Sequence, residues 1–179
     1  MMRVTAQLAS DRSASAAVEM ALSLPLLLAL MFGAFELGDY FLSEHVVQKA
    51  VRDASRYAAR LPLVQPDGTT VNYDCTSSTV DTTAQQQIRN VARTGDPNGT
   101  TARLRDWVDG NTTVKLTCDT NTTDTYVNNG LYNGFPDGGA VPVITVSATV
   151  PYKTFFGSLG LGASTLNLNA QSQAAVIGA

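Results

Sequence analysis

Between Ala16 and Phe35 the chain carries a single charge, Glu19, in a run of apolar and small residues that also holds Ser23 and Pro25. At about 1.5 Å of rise per residue, a helix over this run matches the ~30 Å hydrocarbon core of a bilayer. No soluble core of ordinary size needs a helix apolar on every side, so the run restricts the chain to architectures with a membrane-length N-terminal helix. An unpaired carboxylate there costs about 2.5–3.5 kcal/mol on insertion scales. Glu19 is therefore read as a residue that waits for a partner.

The flanks orient the run. Arg3 and Arg12 precede it, and Glu36, Asp39 and Glu44 follow it. The positive-inside rule places the N-terminus in the cytoplasm and the rest outside. The run is too long for the apolar region of a signal peptide and is followed by no small-residue cleavage site, which reads as a retained anchor.

Past Gly38 the helical pattern continues but changes face. Tyr40, Val47, Ala50, Val51, Ala54, Tyr57, Ala58 and Leu61 recur at helical spacing, opposite Glu44, Gln48, Lys49, Arg52, Asp53 and Arg56. This period near 3.6 predicts an amphipathic helix ended by Pro62 and Pro66. The absence of a turn cluster favours one continuous helix from about Ala14 to Arg60, against two helices broken near Gly33 or Gly38. A second helix is expected over Val80–Thr94, with Ser78 as cap, Asp81 at the capping-box position and Gly95 as stop.

The remainder is rich in Thr, Asn, Gly and Ser. Period-two alternation predicts strands at Thr113–Cys118, Ile144–Val150 and Thr165–Ala170, the last continuing through Val176. Such strands imply an antiparallel sheet with one covered face, and the amphipathic half of the long helix is the natural cover. Asp119 to Ala140 reads as an exposed loop. Tyr152 to Gly162, with Phe155, Phe156, Leu159 and Leu161 among small residues, has two readings: a buried strand connection, or a loop touching the membrane surface. Arg103 to Val108, including Trp107, has no assignment. The domain plan is a cytoplasmic leader at 1–13, a transmembrane helix at 14–38, an amphipathic extension at 39–61 and a periplasmic or extracellular α+β head at 62–179.

Cys75 and Cys118 both lie beyond the apolar run. Their placement outside the membrane favours a disulfide, the alternative being two buried thiols. The net charge of −3, without a basic cluster, excludes nucleic acid as an expected partner. Nothing in the chain reads as catalytic, and no cofactor or metal is expected. The single histidine, His45, has only Gln48 and Lys49 at helical neighbour positions. Asp119-Thr120-Asn121-Thr122-Thr123-Asp124 lacks the glycine and distal glutamate of a calcium loop. No phosphate loop, nucleophile elbow or Cys-x-x-Cys occurs. Asn98, Asn111 and Asn121 fit the glycosylation pattern, as chance matches do in a chain this rich in Asn and Thr.

Several blocks resemble one family. Ser15-Ala16-Ala17-Val18-Glu19-Met20-Ala21-Leu22, Leu24-Pro25-Leu26-Leu27-Leu28, Gly33-x-x-Glu36-Leu37-Gly38 and Ala50-Val51-Arg52-Asp53-Ala54-Ser55-Arg56-Tyr57-Ala58-Ala59 look like the TadE-like family, minor pseudopilins of the bacterial tight-adherence (Flp, type IVc) pilus system. The Val143–Ile177 region is similar to the family's usual ending. The resemblance implies a pilin-like α+β fold and a structural or priming role in pilus assembly. It implies other pilins, pseudopilins and the inner-membrane assembly machine as partners. It further implies a prepilin-peptidase cut between Ala14 and Ser15, which makes Glu19 the fifth residue; Ala14 stands where the family has glycine. Glu19 would then pair with the new amine on its own or a neighbouring subunit. The competing expectation is an uncleaved, single-pass envelope protein that binds a partner through its head.

Overall fold

The computed structural model describes residues 12–119, 141–158 and 166–178. The fold is α+β. Helix α1 (Arg12–Arg60) is followed by a small hairpin of β1 (Tyr73–Asp74) and β2 (Thr79–Val80), then α2 (Thr82–Thr94) and a 3-10 turn (Asp109–Asn111). Strands β3 (Thr112–Asp119), β4 (Val141–Tyr152) and β5 (Leu166–Ala175) complete it, with the short helix α3 (Phe155–Ser158) between the last two. The chain divides into two compact units, Met1–Phe41 and Leu42–Ala179.

In the first unit α1 runs without a break through Pro25, Gly33 and Gly38. Pro25 has no N–H to donate to the preceding turn. The Ser23 hydroxyl bonds the Met20 carbonyl there at 3.3 Å. The helix ends where Leu61 precedes Pro62, since a proline disfavours helical backbone in the residue before it.

In the second unit the sheet order is β3-β4-β5, antiparallel throughout, with Val114 opposite Val146 and Ile144 opposite Ala174. The three expected strands are present: β3 and β4 run longer than their alternation predicted, and β5, expected from Thr165 through Val176, stops one residue short at each end. Alternation sorts Val114, Leu116, Ile144, Val146, Ala148, Val150 and Leu168 to one buried face. The amphipathic half of α1 lies on that face. Val47, Ala50, Val51, Ala54 and Ala58 are buried, the Ser55 hydroxyl meets that of Ser172 at 2.9 Å, and the Ile177 N–H donates to the Ala59 carbonyl at 3.0 Å. The alanines allow the helix backbone to approach the sheet closely, and buried Ser55 has a partner, as a buried hydroxyl requires.

Several expectations need correction. Tyr57 and Leu61 are only half-buried, while Ser55 and Ala59 join the buried face instead. Leu166, which alternation sets on the same face of β5 as buried Leu168, is 46% exposed. Ser78 does not cap the second helix: its φ of 55° belongs to the β1–β2 turn. Asp81 is itself the N-cap, accepting from the N–H groups of Thr83 and Ala84. The helix starts at Thr82 because Val80 is taken up by β2. Gly95 closes it in the left-handed conformation that only glycine adopts at little cost.

Trp107 is a core residue, 2% exposed, with its indole N–H donating to the Thr112 hydroxyl at 3.0 Å. Cys75 and Cys118 are bonded to each other, so the free-thiol alternative falls. The expected loop from Asp119 to Ala140 lies outside the described residues, apart from Asp119, which ends β3. Leu159 and Leu161 also lie outside them.

Candidate functional site

The segment that sequence reasoning marked for function is the N-terminal part of α1. From Ala16 to Met31 every residue is exposed, including Glu19. Leu22 is 74% exposed and Phe35 67%. Within its own unit nothing covers these side chains, and the segment is long and apolar enough, by length and composition, to cross a membrane. Exposed contiguous apolar surface of this extent belongs in lipid or against other helices. A Cβ at Gly33 or Gly38 would meet no atom within 4 Å among the described residues, the helix's own neighbouring backbone aside.

Glu19 therefore sits on a helix surface made otherwise of Val18, Met20, Leu22 and their apolar neighbours. The bond between Ala14 and Ser15 lies within α1.

The other half of α1 is anchored. Beyond its seat on the sheet, Tyr57 donates to the Gln87 side chain on α2 at 3.2 Å, and Asp53 pairs with Arg103 at 3.5 Å. The buried Tyr73 hydroxyl donates to the Ala58 carbonyl. Burial, then the neighbouring Tyr57, holds the Tyr73 phenol well above its usual range, so it stays protonated and remains a donor. A cleft of about 370 Å³ lies beside this end of the helix, lined by Asp53, Arg56, Tyr57, Arg60 and Leu61. It is open to solvent and mixed in charge. Among the described residues no group of three or more His, Cys, Asp and Glu side chains gathers to hold a metal ion.

The structure thus places Ala14, Ser15 and Glu19 along one helix and Cys75 and Cys118 in the head. Sequence reasoning missed Tyr73 and Trp107, whose polar tips bond inside the core. An aromatic residue outside any periodic segment shows no sequence signal for burial.

Residues 14–56 match the family model described as TadE-like protein. The match covers most of α1 and none of the sheet. No curated protein matches the chain, and no solved structure does.

Proposed function

We propose that this TadE-like chain is a minor pseudopilin, a non-catalytic structural or priming subunit in the assembly of a tight-adherence pilus. The observation that carries the reading is the TadE-like match over a helix whose apolar surface is uncovered and holds one carboxylate. In this reading α1 anchors the chain in the bacterial inner membrane, with the N-terminus cytoplasmic and the head periplasmic. Prepilin peptidase cuts between Ala14 and Ser15, and Glu19 pairs with a cationic group, the new amine or a basic side chain of a neighbouring subunit. The desolvation cost of Glu19 is then offset only in the assembled state, which makes the carboxylate an assembly device that insertion and folding do not need.

Glu19→Gln tests this, because it keeps shape and polarity and removes the charge. Pili should fall while the level of the protein in the membrane holds. Normal piliation with the variant incorporated would remove the assembly role from Glu19. The intact mass of the mature protein is the companion measurement. Ser15 at its N-terminus supports the pseudopilin, and Met1 or Met2 supports the uncleaved envelope anchor.

A further inference from the structure

The three-stranded sheet has two edges, and they are treated differently. At the β3 edge, β2 and α2 lie alongside, and the Cys75–Cys118 disulfide ties the hairpin to the strand. At the β5 edge no strand pairs among the described residues.

The register says which groups that edge presents. The Val176 N–H donates to the Pro142 carbonyl at 2.9 Å, and Val176 continues the register that sets Ala174 opposite Ile144 and Leu168 opposite Val150. In an antiparallel ladder the bonded pairs recur at every second residue. The even-numbered residues of β5 therefore direct their N–H and C=O groups to β4, and their side chains turn to the core side. Asn167, Asn169, Gln171, Gln173 and Ala175 direct both groups away from the sheet, and all five side chains are exposed. Among the described residues one hydrogen bond reaches this outward row, from the Asn169 amide to the Asn167 carbonyl at 3.3 Å.

A long exposed edge is normally blunted by a charge, a proline or a bulge. This one has none of them: β5 is regular, without proline, and no charged residue occurs from Thr154 to Ala179. The lack of charge bears on the occupant. A strand laid antiparallel against its own copy places identical residues across a twofold axis, so any charge near the axis would face itself. Here Asn, Gln, Ser and Ala would meet Asn, Gln, Ser and Ala. With the axis at Gln171, Asn169 faces Gln173 and Asn167 faces Ala175, and every outward N–H and C=O from Asn167 to Ala175 finds a partner. On the core side the same register sets half-exposed Leu166 opposite Val176 of the second strand.

We propose that the β5 edge is a self-association surface, through which two copies of this chain join by antiparallel β5–β5 pairing centred on Gln171 to form one continuous sheet. The interface is isologous and closes on itself as a dimer. It is built of main-chain bonds, with the Asn and Gln side chains fixing the register. It does not depend on the role of Glu19.

The chain has no free cysteine among the described residues, so single cysteines report the register. In the full-length protein reconstituted in lipid nanodiscs, Gln171→Cys should give an oxidised, disulfide-linked dimer in high yield. Asn167→Cys alone should not, whereas a mixture of Asn167→Cys and Ala175→Cys chains should. Gln171→Pro removes an outward N–H and no bond to β4. It should abolish the Asn167–Ala175 cross-link with little change in the melting temperature of the head. Gln171→Lys, which sets two like charges across the axis, should do the same where the proline variant fails to fold. Absence of a Gln171→Cys dimer, equal yields from Gln171→Cys and Asn167→Cys alone, or a cross-link persisting in Gln171→Lys would overturn the pairing.

Discussion

At the scale of single residues, three aspartates organise the turns of the head. Asp67 accepts from the Thr70 hydroxyl and from the N–H groups of Thr70 and Thr69, which together hold its carboxyl at about 2. Asp74 accepts from the Ser77 hydroxyl and the Thr76 N–H beside the disulfide, and its pKa is likewise lowered. At Asp81 burial works in the opposite direction, but the N–H groups of Ala84 and Thr83 and the Gln65 amide outweigh it and keep the carboxyl below its ordinary range. A carboxyl with a lower pKa folded than unfolded contributes stability that is full above the unfolded value of ~3.9 and is lost as pH falls towards the folded value. The melting temperature of the head should therefore hold down to about pH 4 and fall between there and about pH 2. A midpoint unchanged at pH 2 would contradict the assignment. Asp81→Ala removes the cap of α2 and should cost about 0.5–2 kcal/mol in denaturant unfolding at neutral pH. Asp81→Asn, which can still cap, should cost less. The sequence pointed to Ser78 as the cap with Asp81 at the capping-box position, whereas Asp81 is itself the cap. What decided between them was the pairing of Thr79 and Val80 with Asp74 and Tyr73, a contact that local pattern does not contain.

At the scale of elements, α1 changes character along its length. Its first half has no covered face, and its second half has a narrow buried one made of Val47, Ala50, Val51, Ala54 and Ala58. Val51 is 1% exposed, so Val51→Asp sets an unpaired charge between helix and sheet and should abolish the cooperative unfolding of the head. Val51→Ala should only lower its stability, by about 1–3 kcal/mol, through lost burial and a small cavity. If the aspartate variant melts as the native protein does, the helix is not seated on the sheet. The Ser55–Ser172 bond is the polar counterpart of this contact. Without Ser172 the Ser55 hydroxyl keeps its bond to the Arg52 carbonyl at 3.0 Å, so Ser172→Ala should cost the net worth of one hydrogen bond, about 0.5–1.5 kcal/mol, by the same assay.

At the scale of the whole molecule, one covalent link joins residues 43 apart, closing the β1–β2 hairpin onto β3. A loop of that length contributes about 4 kcal/mol in the chain-entropy picture. Reduction should accordingly lower the denaturation midpoint of the head, and a midpoint unmoved by reductant would show that the link carries no stability. The membrane-length helix, its amphipathic continuation, the three strands and the stop at Gly95 were legible in the sequence, because hydrophobic period and chain-breaking residues act locally. The Cys75–Cys118 link was legible as an expectation, since only two cysteines lie beyond the apolar run. The places of Trp107 and Tyr73 were decided by tertiary structure alone, because a buried indole or phenol is defined by a partner distant in sequence or outside any periodic segment. Strand order belongs with them. Three alternating segments say that each has a covered face, but not which strand is left at the edge. That depends on which neighbour completes each row of backbone hydrogen bonds, a property no single segment carries.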